Sequence, residues 1–341
     1  MNPYRSQPPK AFWRSVSGVH FADMTDVPAP LDIRPTDRIA TAGSCFAQHI
    51  GRNLRERGAG RYMDLEPAPS HLSRADAMEH GFGIYSCRYG NLYTVRQLRQ
   101  LAQECLGEFE PREVVWESRG RFFDAMRPSV DPVGHADAET VLTLRKLHLA
   151  KVREMLETLD LFVFTLGLTE GWVTTDDHTV FASCPGTVAG TFDAAKYRFA
   201  NFRHGQIVED FETFYRLLKR INPSARILLT VSPVSLQATA SDKHVLVANT
   251  YSKATLRAVA GDLADTLPDV MYFPSYELVT NHANRGSFYD PDMRNVNHFG
   301  VRHVMDHFFR ALPFATDGSV KGDEDNAVIC DEERLANEQA A

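Results

Sequence analysis

The sequence predicts an α/β fold of three layers, a parallel sheet with helices on both faces, and three observations carry that prediction. Short apolar runs at 38–43, 161–167, 225–231 and 270–273 alternate with stretches of helical periodicity. The run Leu161-Phe162-Val163-Phe164-Thr165-Leu166-Gly167 is apolar at successive positions, as a strand covered on both faces must be. Strands that alternate with helices pair in parallel through crossover connections.

Residues 1–34 are Pro-rich and polar and are expected to lie as an extended arm on the domain that spans 35–312. The first strand, Arg38 to Gly43, runs into a helix from Phe46 to Arg57 that stops near Gly58 and Gly60. Turn signals follow at Phe82-Gly83-Ile84-Tyr85 and Tyr89-Gly90-Asn91, then a helix from Thr94 to Cys105. From Ala138 to Leu159, Leu142, Leu149, Val152, Leu156 and Leu159 recur at helical spacing, and strand 161–167 comes next. Residues 172–204 read as an insertion of short strands and loops, long enough to form a lid or wall. Helix 207–221, strand 225–231, helix 245–265, strand 270–273 and helix 299–311 complete the alternation. The stretch 313–341 is acidic and Ala-rich and is expected to be disordered.

Composition narrows the function classes. The chain has 341 residues and a net charge of −7, with Lys and Arg scattered, so no nucleic-acid footprint is expected. No apolar run reaches the length of a membrane span, and residues 1–10 lack the apolar stretch of a signal peptide, so the expected location is the cytoplasm. Five cysteines form neither a CxxC pair nor a zinc spacing and read as reduced thiols. No motif implies a metal, nucleotide or organic cofactor.

Parallel sheets bind ligands beyond the carboxyl ends of their strands. Gly43-Ser44, Gly167-Leu168-Thr169-Glu170, Ser232-Pro233 and Ser275-Tyr276-Glu277 should therefore converge. Ser44 falls between a strand and a helix, where first-turn amides lack intrahelical partners and could steady an oxyanion. A serine there is equally at home as a plain helix cap. Thr169 could donate its hydroxyl or cap a turn, and Glu170 could line the site or pair on the surface. His298, in Asn295-Val296-Asn297-His298 before the last helix, could serve as general base. His244, after strand 225–231, is the alternative base, and His49, His303 and His307 read as packing or surface residues. Cys45 is the rival nucleophile, because a helix N-terminus lowers a thiol's pKa. Adjacent helical residues point about 100° apart, so Ser44 and Cys45 should not share one pocket.

The run Gly43-Ser44-Cys45-Phe46-Ala47 resembles the motif that names the GSCFA family. The resemblance continues through 167–172, 229–234, Ser252-Lys253-Ala254 and 272–277, and covers roughly residues 35–312. It implies a branch similar to the SGNH/GDSL hydrolases, with a flavodoxin-like fold. By that resemblance Ser44 takes the nucleophile position and His298 the histidine of the closing block. The oxyanion would be held by the Ser44 amide, a glycine (Gly83, or Gly90) and Thr169. Thr169 stands where the superfamily has Asn, so Asn91 is a possible replacement. Asn295 stands where an Asp would orient the imidazole, with Asp292 as a possible substitute.

The function implied is a serine esterase or acyltransferase working on O-acyl esters, an acetylated carbohydrate among them, through a Ser44 acyl-enzyme. A non-catalytic carbohydrate- or acyl-binding module on the same scaffold and a Cys45-dependent acyltransferase are the competing readings. The partner expected is a small-molecule or glycan ester.

Overall fold

The computed structural model describes residues 2–17, 19–21, 24–314, 328, 330, 331 and 333. In chain order the elements are β1 (Arg38–Gly43), α1 (Phe46–Arg57), β2 (Arg61–Tyr62), α2 (Arg74–Glu79), α3 (Val95–Cys105), β3 (Val115–Ser118) and β4 (Arg121–Asp124). They continue as α4 (Ala138–Thr158), β5 (Leu161–Leu166), β6 (Glu170–Thr174), β7 (Val180–Phe181), β8 (Tyr197–Asn201) and α5 (His204–Ile221). The last are β9 (Arg226–Val231), α6 (Val245–Thr266), β10 (Val270–Tyr272), α7 (Ser275–Thr280) and α8 (His298–Arg310).

Five strands form one parallel sheet in the order β10-β9-β5-β1-β2. Their alternating side chains fill two separate cores. Ala40, Ala42, Phe162, Phe164, Leu166, Ile227, Leu229 and Val231 pack with Val152, Leu156, Phe211, Phe214 and Leu256 from α4, α5 and α6. Ile39, Leu161, Val163 and Leu228 face the other way, onto Ile50, Leu54, Leu278, Val304 and Phe308 from α1, α7 and α8. Burial on both faces is what makes the β5 run continuously apolar. The fold is thus the α/β layering expected.

α4 departs from the expected stripe. Leu142 and Leu147 are exposed, and the buried line runs Val141, Arg145, His148, Val152, Met155, Leu156. Charged groups take interior positions because partners wait for them. Arg145 pairs with Asp124 (2.9 Å) and with Glu104, and His148 Nδ1 lies 2.7 Å from Glu66. The insertion after β5 is an antiparallel sheet, β7-β6-β8, and a separate hairpin, β3-β4, precedes α4. At the start of the chain, Leu31 N–H donates to the Ala311 carbonyl (2.8 Å) and the Met24 carbonyl lies 2.8 Å from His307 Nε2, tying that segment to α8. No helix among the described residues is long and apolar enough to cross a membrane.

Candidate active site

Counted along the chain, β1 and β5 are the first and third strands of the five, and they are neighbours at the point where strand order reverses. A crevice opens beyond the carboxyl ends of strands at such a point. β1 delivers Ser44 there. Gly43 has φ +134, and a Cβ on it would lie 2.4 Å from the Thr165 carbonyl oxygen, so only glycine lets β1 turn this close to β5. The Ser44 carbonyl accepts from Ala47 N–H (2.9 Å) and from the Tyr85 hydroxyl (3.0 Å). Its hydroxyl differs. Ser44 is 3% exposed, and its Oγ has no hydrogen-bond partner among the described residues. An unmatched buried hydroxyl costs roughly 1–3 kcal/mol. Such groups in a native fold call for an explanation, and function is a common one.

The opposite wall is the loop after β5, and it is clamped. Gly167 and Leu168 both donate their N–H groups to the Tyr93 carbonyl (3.2 and 2.9 Å). Thr169 N–H donates to Ser252 Oγ (3.1 Å), and Lys253 Nζ donates to the Gly167 carbonyl (2.8 Å). One turn of α6 thus fixes the whole loop. Leu92 N–H donates to the Gly43 carbonyl (2.9 Å), which draws residues 91–93 across both strand ends. Asn91 is buried there, its Oδ1 meeting the Tyr85 hydroxyl (2.6 Å) and Gln48 Nε2 (3.2 Å). Its Nδ2 donates to Asp331 Oδ2 (3.0 Å).

Beside this crevice lies a cavity of about 540 Å³ between the β6-β7-β8 sheet and residues 236–240. Trp172, Phe192 and Phe199 give it an aromatic wall, and Leu168 and Asp331 mark the side toward Ser44. Glu170 reaches Thr239 Oγ1 (2.9 Å) at its edge, and burial raises the Glu170 pKa.

The GSCFA family matches residues 38–308. The chain is a member of the GSCFA family. No curated protein matches it in sequence. Among solved structures it is similar to an acetyl esterase mutant with acetate ion, at 9% identity over 80% of this chain and 94% of that one, with a TM-score of 0.32. A carbohydrate esterase family 3 structure from Talaromyces cellulolyticus is similar at 13% identity, over 63% of this chain and 87% of that one, with a TM-score of 0.25.

In this GSCFA protein several expected site residues stand elsewhere than the sequence suggested. The Ser44 amide donates to the Thr165 carbonyl (3.1 Å), because parallel pairing with β5 continues one residue past the strand. It does not point at an oxyanion. Gly83 gives its carbonyl to Arg55 Nη2 (3.0 Å), from the last turns of α1. Gly90 packs near Val130 and Arg127. Thr169 is fully buried, and its Oγ1 finds no partner among the described residues. His298 is exposed at the start of α8 and lines a small recess with His49, Arg57 and Asp306, to which Ser44 does not contribute. His244 is exposed and caps α6, its Nδ1 accepting from Leu246 N–H (3.2 Å). Asn295 Nδ2 donates to Asp292 Oδ2 (2.8 Å), so that pair is joined, but to each other. Cys45 is buried in the α1–α8 core.

From the same loop it is Arg294 that turns inward. It is 8% exposed, bonded to Asn295 Oδ1 (3.0 Å) and 3.5 Å from Cys330 Sγ. Tyr85, Tyr93 and Arg294 were not readable as site residues, and Lys253 was marked only by the matching segment Ser252-Lys253-Ala254. Tyrosines near a turn and an arginine in a polar loop look like any core or surface residue until the strand ends are brought together.

Proposed function

We propose that this GSCFA protein is an esterase or acyltransferase that carries the acyl group on Ser44. The observation that carries the reading is the unpartnered, buried Ser44 hydroxyl at the reversal point of the sheet. Around it stand a glycine on each side and an aromatic cavity within reach. A hydroxyl kept without a partner at a cost to stability is poised for a ligand.

In this reading Ser44 Oγ attacks the ester carbonyl carbon and its proton passes to a base. The tetrahedral oxyanion is held by the Asn91 amide and the Arg294 guanidinium, which take the part first expected of the Ser44 and Gly83 amides. The leaving alkoxide takes the proton back. Water, or a second alcohol, then attacks the acyl-enzyme and frees Ser44. The cavity beside Leu168 seats the alcohol part of the ester, its Trp172 and Phe199 rings suited to stacking on a sugar ring. His298 is the base proposed from its place after the last crossover, and it must swing in from the α1–α8 recess to act. A binding module on the same scaffold is favoured by one observation, that no histidine meets the Ser44 hydroxyl among the described residues.

An alkyl fluorophosphonate and p-nitrophenyl acetate decide between these readings. Covalent labelling at Ser44 and ester turnover, both lost in Ser44→Ala and kept in Cys45→Ala, support the acyl-enzyme. Absence of labelling and turnover in the parent chain leaves the binding module. Loss of turnover in His298→Ala but not in His49→Ala or His244→Ala identifies the base.

A further inference from the structure

We propose that the crevice beside Ser44 is a binding site for small carboxylates, and that Asp331 fills it as an internal ligand that keeps the site closed. The assignment of the ligand rests on the reading of Ser44 as acyl acceptor.

Asp331 belongs to a stretch of sequence that looks fit only for solvent, yet it is 3% exposed, and Cys330 beside it is 7% exposed. Glu333, two residues on, is exposed again. The chain therefore dips into the molecule over Cys330-Asp331 and leaves it. Val328 and Cys330 join the apolar core of α1 and α8, and polar groups meet Cys330 and Asp331. The Asp331 carboxyl takes a hydrogen bond from Asn91 Nδ2 (3.0 Å), and its backbone N–H donates to the Tyr93 hydroxyl (3.1 Å). The Cys330 thiol lies 3.7 Å from that same hydroxyl and 3.5 Å from Arg294 Nη2, and it is hydrogen-bonded to the thiol of Cys45. The bond to Cys45 and the nearby guanidinium hold the Cys330 pKa below the ordinary thiol range, against the effect of burial.

These contacts place the segment against the residues that cross the ends of β1 and β5. Cys45 follows Ser44 directly, and the Tyr85 hydroxyl joins the Ser44 carbonyl to Asn91. Asp331 also lines the 540 Å³ cavity. Packing accounts for Val328 and Cys330 but not for Asp331. That residue brings a carboxyl to an amide donor, with a guanidinium close by. A carboxyl oxygen on an amide group that Tyr85 ties to the Ser44 carbonyl copies the carboxylate that hydrolysis of an acyl-enzyme releases. Acetate and similar small acids are the ligand class that fits. Opening then requires the 330–331 segment to leave, and carboxylates compete with it for Asn91.

The experiment uses the full chain and its Asp331→Ala and Asp331→Asn variants, with circular-dichroism melts to show that each is folded. Three rates are followed: alkylation of Cys45 and Cys330 by iodoacetamide, resolved by mass spectrometry; labelling of Ser44 by an alkyl fluorophosphonate; and both reactions again in sodium acetate. The expected result is at least ten-fold faster alkylation and labelling in Asp331→Ala. Acetate should slow both in the variant at concentrations that leave the parent chain unchanged. Asp331→Asn, which keeps the shape, should fall between and carries the comparison if the alanine variant melts early. Equal alkylation rates in parent and variants, or a variant indifferent to acetate, overturn the proposal. Faster alkylation with acetate protection but no labelling of Ser44 upholds the internal ligand and removes the esterase reading instead.

Discussion

Gly167 and Ser44 face each other across neighbouring strand ends with no room for a methyl group between them. A Cβ on Gly167 would lie 2.8 Å from the Cβ of Ser44 and 3.1 Å from the Tyr93 carbonyl oxygen. Neither obstacle is a flexible side-chain end, so the backbone must shift. Overpacking of this kind costs about 1–3 kcal/mol. Gly167→Ala is expected to lower the melting temperature by several degrees and to cut p-nitrophenyl acetate turnover at least ten-fold. A variant with parent-like turnover would show that the contact does not set the position of Ser44.

Ser44→Ala should do the reverse to stability. The hydroxyl it removes has no partner among the described residues, so the fold loses no bond and sheds a desolvation cost. We expect a melting temperature equal to or above that of the parent, with labelling and turnover abolished. Such opposite movement is the signature of a side chain kept for function at the expense of stability. A drop of several degrees would mean that Ser44 is a structural cap after all.

Lys253→Met tests the clamp on the opposite wall. Lys253 is 1% exposed and donates to the Gly167 carbonyl, and methionine fills the same space without a donor. A buried carbonyl stripped of its donor costs about 1–3 kcal/mol. Thermal melts should fall by a few degrees, and kcat should fall further than stability alone explains, because the Gly167 loop loosens next to Ser44. Unchanged kcat would assign Lys253 to packing only.

Acid should unfold this protein through the network behind α4. Burial alone would raise the Asp124 pKa, but Arg145 and Arg127 reverse that and hold it at about 2. Burial, followed by the charge of Arg127, lowers the His148 pKa to about 4. Between pH 6.5 and 4 the unfolded chain binds a proton at His148 that the folded one does not. Between pH 4 and 2 the same holds at Asp124. Both terms make stability rise with pH and fall on acidification. The Asp124 contribution is about 2 kcal/mol. Urea midpoints measured from pH 7 to pH 3 should fall throughout, and Asp124→Asn should flatten the slope below pH 4. A flat profile in the parent would contradict the network.

Most of the sheet was legible because its signals are local. The run 161–167 could be nothing but a covered strand, and Gly43-Ser44 before a helical periodicity placed Ser44 at a strand end. The short hairpin β3-β4 was not visible, since four-residue strands of mixed polarity carry little periodicity. Nor was the buried face of α4: nothing local marks Arg145 and His148 as interior, because Asp124, Glu104 and Glu66 reach them from other parts of the chain. In the site, sequence singled out Ser44, Gly167 and Thr169. Asn91 entered only as a replacement, and the amide of Ser44 was assigned a task that its bond to the Thr165 carbonyl leaves it unable to perform. Where an N–H points is settled by strand pairing, and pairing is a property of two segments.

The sequence by itself determined the parallel α/β layering, the strand that ends in Ser44 and the glycines flanking it. These follow from side-chain periodicity and from the backbone freedom of glycine, both written within a few residues. The tertiary structure alone decided which residues surround that serine. Tyr85 with Asn91, Lys253, Arg294 and Asp331 come from four separate parts of the chain, and only the order of strands in the sheet, with the crossings it imposes, brings their side chains to one edge.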